Sequence, residues 1–220
     1  MTRIKICGIK EEEHAVTIAG AGADFIGLMF AESPRQVTPA RAGKIVAALK
    51  NNKAAIEAVG VFVNARAGTI NRIAEKCHLD WVQLSGDEPW GLCREIERPV
   101  IKVIRVSRNN RPEQVLRDLE YGNKILGKQK HMFLLDSKAR DKYGGSGMKF
   151  DWKLAIPIAE RFPVIVAGGL TPDNVAEAIK VISPWGVDVS TGVETKGAKD
   201  MEKIMKFIEA VRRTDGSQTR

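Results

Sequence analysis

The residues best suited to chemistry in this 220-residue chain are a thiol, a carboxylate, an arginine and two glycine-bearing loops. Cys7 closes the apolar run RIKIC (3–7). A thiol ordinarily titrates near pH 8.5, so a modest downward shift makes it a nucleophile or a proton-abstracting base at neutral pH. The run by itself favours the other reading, an inert cysteine packed in a core. Asp136 closes a second apolar run, MFLLD (132–136), and the stretch after it continues to Trp152 through GGSG. A carboxylate there suits a general acid or base, and a loop that rich in glycine can fold over a ligand; a helix or turn cap is the alternative. Arg35, in SPRQV (33–37), either grips a carboxylate with its planar fork or lies on the surface. AGGLTPDN (167–174) and STGVETKG (190–197) contribute Gly168, Gly169, Ser190, Thr191 and Gly192. Such glycines admit close backbone approach, and hydroxyls with helix-start N–H groups bind phosphate; tight turns are the plainer reading.

These residues need elements to position them. Eight short apolar runs recur: 3–7, 25–30, 59–63, 81–84, 100–104, 132–136, 163–167 and 186–190. Most are nearly continuous in Val, Ile, Leu and Phe, as in strands buried on both faces of a parallel sheet. Helical patterns fall between them at 11–22, 38–50, 67–77, 111–120, 171–182 and 199–213. Thr38-Pro39 and Thr171-Pro172 supply a cap and a proline at the first helical position. Strand and helix alternate without a linker, a low-complexity segment or a fixed repeat. The expected fold is therefore a single-domain α/β (β/α)8 barrel over residues 1–213, with 214–220 as a frayed polar tail. A doubly wound open sheet is the runner-up, but CGIKEEE lacks the glycine fingerprint that would follow its first strand. In a barrel the chemistry gathers at the C-terminal strand ends. Cys7 and Asp136 both stand there, and WVQLSGDE (81–88) puts Ser85 after the fourth strand.

The net charge of +8 is spread through the helices and not gathered in one block, and only two Tyr are present. That argues for a basic surface or an anionic small substrate over nucleic acid, whose binders concentrate charge beside exposed aromatics. Cys7, Cys77 and Cys93 are odd in number and widely spaced. With no apolar leader or membrane-length run, the expectation is a reduced, cytoplasmic protein with no membrane partner. No metal site is expected: His14, His78 and His131 lie far apart, and Cys77-His78 reads as a helix end.

Taken in order, KICGI, SPR, VQLSGDEP, LLDSK with GGSG, AGGLTPDNV, and GVDVSTGVE with KGAKD resemble the phosphoribosylanthranilate isomerases of tryptophan biosynthesis, over about residues 3–205. AGGL is shared by many phosphate-binding barrels; KICGI together with LLDSK–GGSG and DVSTGVE is far more specific. The resemblance implies an Amadori rearrangement of N-(5′-phosphoribosyl)anthranilate, a small phosphorylated substrate, without cofactor or metal, in a monomer or homodimer. It makes Cys7 the base that removes the C2′ proton and Asp136 the acid that protonates the opening ring oxygen. Arg35 would face the anthranilate carboxylate. Gly168, Gly169, Ser190, Thr191 and Gly192 would hold phosphate. Asp188 must point into the barrel if Val187 and Val189 point out, and would contact substrate or orient a neighbour. One position departs: the family reads QLHG where this chain has Ser85. Serine hydrogen-bonds but does not titrate near neutrality, so a substrate contact is affected more than the acid–base pair. Two weaker readings remain. Another phosphosugar barrel would need a metal site or a lysine pair, and a non-catalytic nucleic-acid or phospholigand binder rests on the charge alone.

Overall fold

The computed structural model describes residues 1–107, 110–137 and 152–218. Eight parallel strands close into a barrel in chain order: β1 (Arg3–Cys7), β2 (Phe25–Met29), β3 (Glu57–Phe62), β4 (Trp81–Leu84), β5 (Val100–Val106), β6 (His131–Ser137), β7 (Val164–Val166) and β8 (Gly186–Val189). β8 closes against β1, with Lys5 opposite Asp188. All eight expected runs are strands. β5 and β6 run further than expected, to Val106 and Ser137.

Helices α1 (Glu12–Gly20), α2 (Pro39–Asn51), α3 (Ala67–Lys76), α5 (Pro112–Leu126), α7 (Val175–Ile182) and α8 (Met201–Gln218) answer to the expected patterns. At α2 the Thr38 hydroxyl accepts the Arg41 N–H at 3.2 Å and Pro39 opens the helix, as the Thr-Pro signal predicts. Thr171-Pro172 behaves differently. The Thr171 N–H is spent on Asn174 Oδ1 at 2.9 Å, residues 172–174 form a turn, and α7 opens only at Val175. Two short helices, α4 (Trp90–Arg94) and α6 (Ile156–Ala159), were not expected; each is too brief to show a helical period. Cys77 does end a helix, capping α3.

The polar tail is corrected. α8 continues to Gln218, and Thr214 and Asp215 are buried. Asp215 accepts the backbone N–H of Thr2 at 2.9 Å and its hydroxyl at 2.7 Å, while Arg212 donates to the Thr2 carbonyl at 2.7 Å. The helix end is thus fastened to the first strand by polar pairs, which a reading based on loop-like composition overlooks. The glycine-bearing stretch 138–151 lies outside the described residues, as do residues 219–220.

Strand alternation sorts the core into two layers. Outward residues such as Ile4, Ile6, Leu28, Leu135, Val187 and Val189 pack against the helices. Inward residues Phe25, Val59, Trp81, Ile101, Val103, Met132, Leu134, Ile165 and Ala167 fill the lower barrel. Phe25 meets Trp81 edge-on, with ring centroids 6.3 Å apart. Above this plug the inward positions turn polar: Lys5, Cys7, Gln83, Arg105, Asp136 and Asp188. Strand parity alone therefore delivers the reactive side chains to one mouth.

Candidate active site

That mouth opens a cavity of about 1010 Å³. Cys7, Arg35, Ser85, Asp136, Gly168, Gly169, Asp188, Ser190, Thr191 and Gly192 all line it, so the structure brings every candidate residue together.

Cys7 ends β1 and is 5% exposed. It lies beside Gly27 of β2, where a Cβ would come within 2.7 Å of the thiol sulfur. The missing side chain makes room for the thiol. Burial pushes the Cys7 thiol above its ordinary pKa, and the Lys5 ammonium opposes this most strongly. Lys5 Nζ donates to Asp188 Oδ1 at 2.8 Å. Burial works against the Lys5 charge, but Asp188 and Cys7 together outweigh it and hold Lys5 above the usual lysine range. Asp188 thus points into the barrel, as its place between Val187 and Val189 requires.

Asp136 ends β6 opposite Arg105 of β5, whose Nη1 donates to Asp136 Oδ2 at 2.8 Å. Burial pushes the Asp136 carboxyl above the ordinary carboxylate range; Arg105 pulls the other way, and Asp188 adds to the rise. Arg105 Nη2 also donates to the Ser85 carbonyl at 2.6 Å, tying the loop after β4 to the same pair. The Ser85 hydroxyl accepts from Gln83 Nε2 at 3.0 Å.

The loop after β7 folds against the acid. Gly168 has φ of +87°, and a Cβ there would meet the Ser137 nitrogen at 2.9 Å and Asp136 Oδ1 at 3.1 Å. A side chain would be strained and would press on the carboxylate. After β8, a turn of 3-10 helix (Thr191–Val193) carries Gly192 so close to the Leu170 carbonyl that a Cβ would fall within 1.8 Å of its oxygen. The two loops are consequently locked together. Asn174 bridges the first of them, donating to the Gly169 carbonyl at 3.0 Å. Backbone donors, hydroxyls and a short helical turn after strands seven and eight suit an anion such as phosphate.

Arg35 is more constrained than a free surface arginine or an open carboxylate grip. Its Nε and Nη2 form a fork on Glu194, at 2.6 and 2.7 Å. Lys199 Nζ also reaches Glu194, at 2.8 Å, and the Ser190 carbonyl, at 2.9 Å. Burial opposes ionisation of Glu194, but these hydrogen bonds outweigh it and hold the carboxyl below its usual range. Glu194 and Lys199 sit on a two-residue hairpin, β9 (Glu194–Thr195) and β10 (Ala198–Lys199).

Sequence reasoning passed over Lys5, Gln83, Arg105, Glu194 and Lys199. For Lys5 a signal existed: it shares Cys7's parity in RIKIC, so whatever turns the thiol inward turns the lysine inward too. Arg105 fell just past the expected end of its strand. Glu194 and Lys199 have no periodic signal at all.

Comparison with known proteins agrees with this geometry. Residues 4–210 match the family model described as N-(5′-phosphoribosyl)anthranilate (PRA) isomerase. An N-(5′-phosphoribosyl)anthranilate isomerase of Dehalococcoides mccartyi is 46% identical over 218 residues, covering 99% of each chain. The crystal structure of phosphoribosyl anthranilate isomerase from Thermotoga maritima superposes with a TM-score of 0.84 at 38% identity, over 97% of this chain and 100% of that one. A structure of such an isomerase in complex with reduced 1-(o-carboxyphenylamino)-1-deoxyribulose 5-phosphate gives 0.80 at 36% identity, with the same coverage. The chain belongs to the N-(5′-phosphoribosyl)anthranilate isomerase family.

Proposed function

We propose that this chain performs the Amadori rearrangement of N-(5′-phosphoribosyl)anthranilate in tryptophan biosynthesis, with Cys7 as base and Asp136 as acid. Family membership supports the reaction. The observation that supports the roles is that a buried thiol and a buried carboxyl, on strands β1 and β6, line one cavity beside the paired glycine loops.

The chemistry follows in two proton transfers. Asp136 gives its proton to the ribose ring oxygen as the C1′–O bond breaks, and the nitrogen lone pair forms an iminium at C1′. Cys7 then removes the C2′ proton, the electrons move to make a C1′–C2′ enolamine, and tautomerisation leaves a ketone at C2′ and an amine on C1′. In the tautomerisation C1′ gains a proton and the C2′ hydroxyl loses one, which offsets the proton Asp136 gave and the one Cys7 took, so acid and base are regenerated over the cycle. Phosphate held by Gly168, Gly169, Ser190, Thr191 and Gly192 anchors the sugar far from the reacting bonds, and that binding energy orients C1′ and C2′. Arg35, braced by Glu194, presents its remaining N–H edge to the anthranilate carboxylate, and Asp188 reaches the substrate from β8.

The pair works in reverse protonation: the competent form has Asp136 protonated and Cys7 ionised, while burial favours the neutral form of each. Between the two pKa values the population of that form is constant, since loss of one proton balances the other. We assign the protein to a reducing cytoplasm, without a membrane or nucleic-acid partner, as a monomer or homodimer; sedimentation equilibrium separates the last two. Among the described residues, no helix is long and apolar enough to cross a membrane.

The test is conversion of N-(5′-phosphoribosyl)anthranilate, followed by loss of anthranilate fluorescence. Turnover by the parent protein is expected. Binding of other sugar phosphates with no turnover of this one would overturn the assignment.

A further inference from the structure

The inward face of β1 carries Arg3, Lys5 and Cys7 in succession, and the Lys5 side chain is 1% exposed. It is among the largest fully buried side chains of the molecule. Lysine is almost never buried without a partner, and a buried ion pair is poor value as a stabiliser, because two desolvated charges rarely outperform well-packed apolar groups. An apolar side chain would continue the plug, of which Phe25 is the register partner of Lys5 on β2. The charge therefore calls for another reason.

Lys5 and Cys7 are two apart on one strand, so their side chains stand one above the other, with backbones about 6.6 Å apart. The lysine stem spans that distance. One ammonium proton goes to Asp188 across the β1–β8 ladder, at 2.8 Å, and a lysine has three to give. The charged groups that face the thiol come from every side: Lys5 from beneath, Asp188 from β8, Lys199 from β10, and Arg35 from the loop after β2. Asp136 and Arg105 lie across the same cavity. Lys199 and Arg35 both share Glu194, whose carboxylate offsets them. Among the described residues Lys5 forms its ion pair with Asp188 alone, and of the charges around the thiol it is the one that most opposes the burial-driven rise of the Cys7 pKa.

We propose that Lys5 is a positioning residue for the base: its ammonium, anchored by Asp188, faces Cys7 from beneath and stabilises the thiolate that abstracts the proton. This rests on reading Cys7 as the base. Asp188 then has a defined task, keeping the buried lysine charged and aimed. The proposal also explains how a thiol so deeply buried reaches its ionised form.

The experiment is a pH titration of thiolate absorbance near 240 nm, taken as the difference between each protein and its own Cys7→Ser counterpart so that Cys77 and Cys93 cancel. It is run on the parent and on Lys5→Met. Because Lys5→Met strands a buried carboxylate and can fail to fold, Lys5→Met/Asp188→Asn, which removes the pair as a unit, is run beside it. Lys5→Met is expected to raise the Cys7 midpoint by about one unit or more, a tenfold loss of thiolate per unit, and the double variant to raise it by less, because the opposing charge of Asp188 goes too. In Lys5→Met the plateau of the pH–kcat profile should fall by the same factor and its alkaline limb should move up, with KM little changed. A midpoint unmoved in the folded variants overturns the proposal, and so does lost turnover with an unmoved midpoint, which marks a structural role. The titration needs no substrate. If the parent fails to turn over N-(5′-phosphoribosyl)anthranilate, the functional reading falls while the Lys5–Cys7 coupling is still decided.

Discussion

The lower and upper halves of the barrel interior follow the same strand parity, yet to opposite ends. Below, Phe25, Val59, Trp81, Ile101, Met132 and Ile165 make an apolar plug. Above, further along β4, β5 and β6, Gln83, Arg105 and Asp136 replace it with ion pairs and hydrogen bonds, and β1 and β8 add Lys5, Cys7 and Asp188. Apolar packing is the cheaper way to fill a barrel, and buried charge is retained where it does chemistry. The plug sets the platform; the upper layer spends stability to shift the behaviour of a thiol and a carboxyl in opposition to solvent.

This contrast can be broken from either side. The largest effect expected is on the upper half: Cys7→Ser should lower kcat by about 10²–10⁴-fold, the usual worth of a positioned base, while the melting temperature stays within a few degrees. Near-parental kcat would remove Cys7 from its role. In the lower half the response should invert. Trp81→Ala should cost roughly 3–5 kcal/mol in denaturant unfolding, with the pH limbs of kcat unmoved in the folded fraction. Shifted limbs would mean that the plug tunes the site electrostatically. Gly192→Ala should sit between these extremes: its Cβ would strike the Leu170 carbonyl, so KM should rise about 10–100-fold with smaller loss of kcat. Deleting residues 214–220 should cost about 1–3 kcal/mol, because the paired groups of Thr2 lose Asp215, while kcat is kept. Ser85→His should have the smallest effect, less than about tenfold in kcat/KM, since one hydrogen bond from Gln83 is exchanged.

How much of this was legible in the sequence depended on whether a signal was periodic. The apolar strands announce themselves by composition, and their order implies a closed barrel. Once the fold is fixed, strand ends identify Cys7 and Asp136, and alternation turns Asp188 inward. Lys5 obeyed the same rule but sat in mid-strand, where a charge reads as surface. Partnerships were harder. That Arg35 is braced by Glu194, and that Arg105 bonds both Asp136 and the Ser85 carbonyl, depends on groups far apart in the chain meeting at the mouth. The last helix was misjudged for a related reason: Thr214 and Asp215 look like loop residues until Thr2 is placed beside them. The direction of the Cys7 shift was equally hidden, because burial is a property of the fold and not of the motif.

The central claim, that the upper layer holds a reverse-protonated acid–base pair, is tested most directly by kcat/KM of the parent protein measured across pH. The account predicts a bell with a broad plateau. Its acid limb, set by the Asp136 pKa, should lie above the ordinary carboxylate range: below that pKa Asp136 is already fully protonated, and a further fall in pH only removes the remaining Cys7 thiolate. Its alkaline limb, from deprotonated Asp136 once Cys7 is fully ionised, should lie above the ordinary thiol range. A single limb near neutrality, or an alkaline limb at or below the ordinary thiol value, would contradict it.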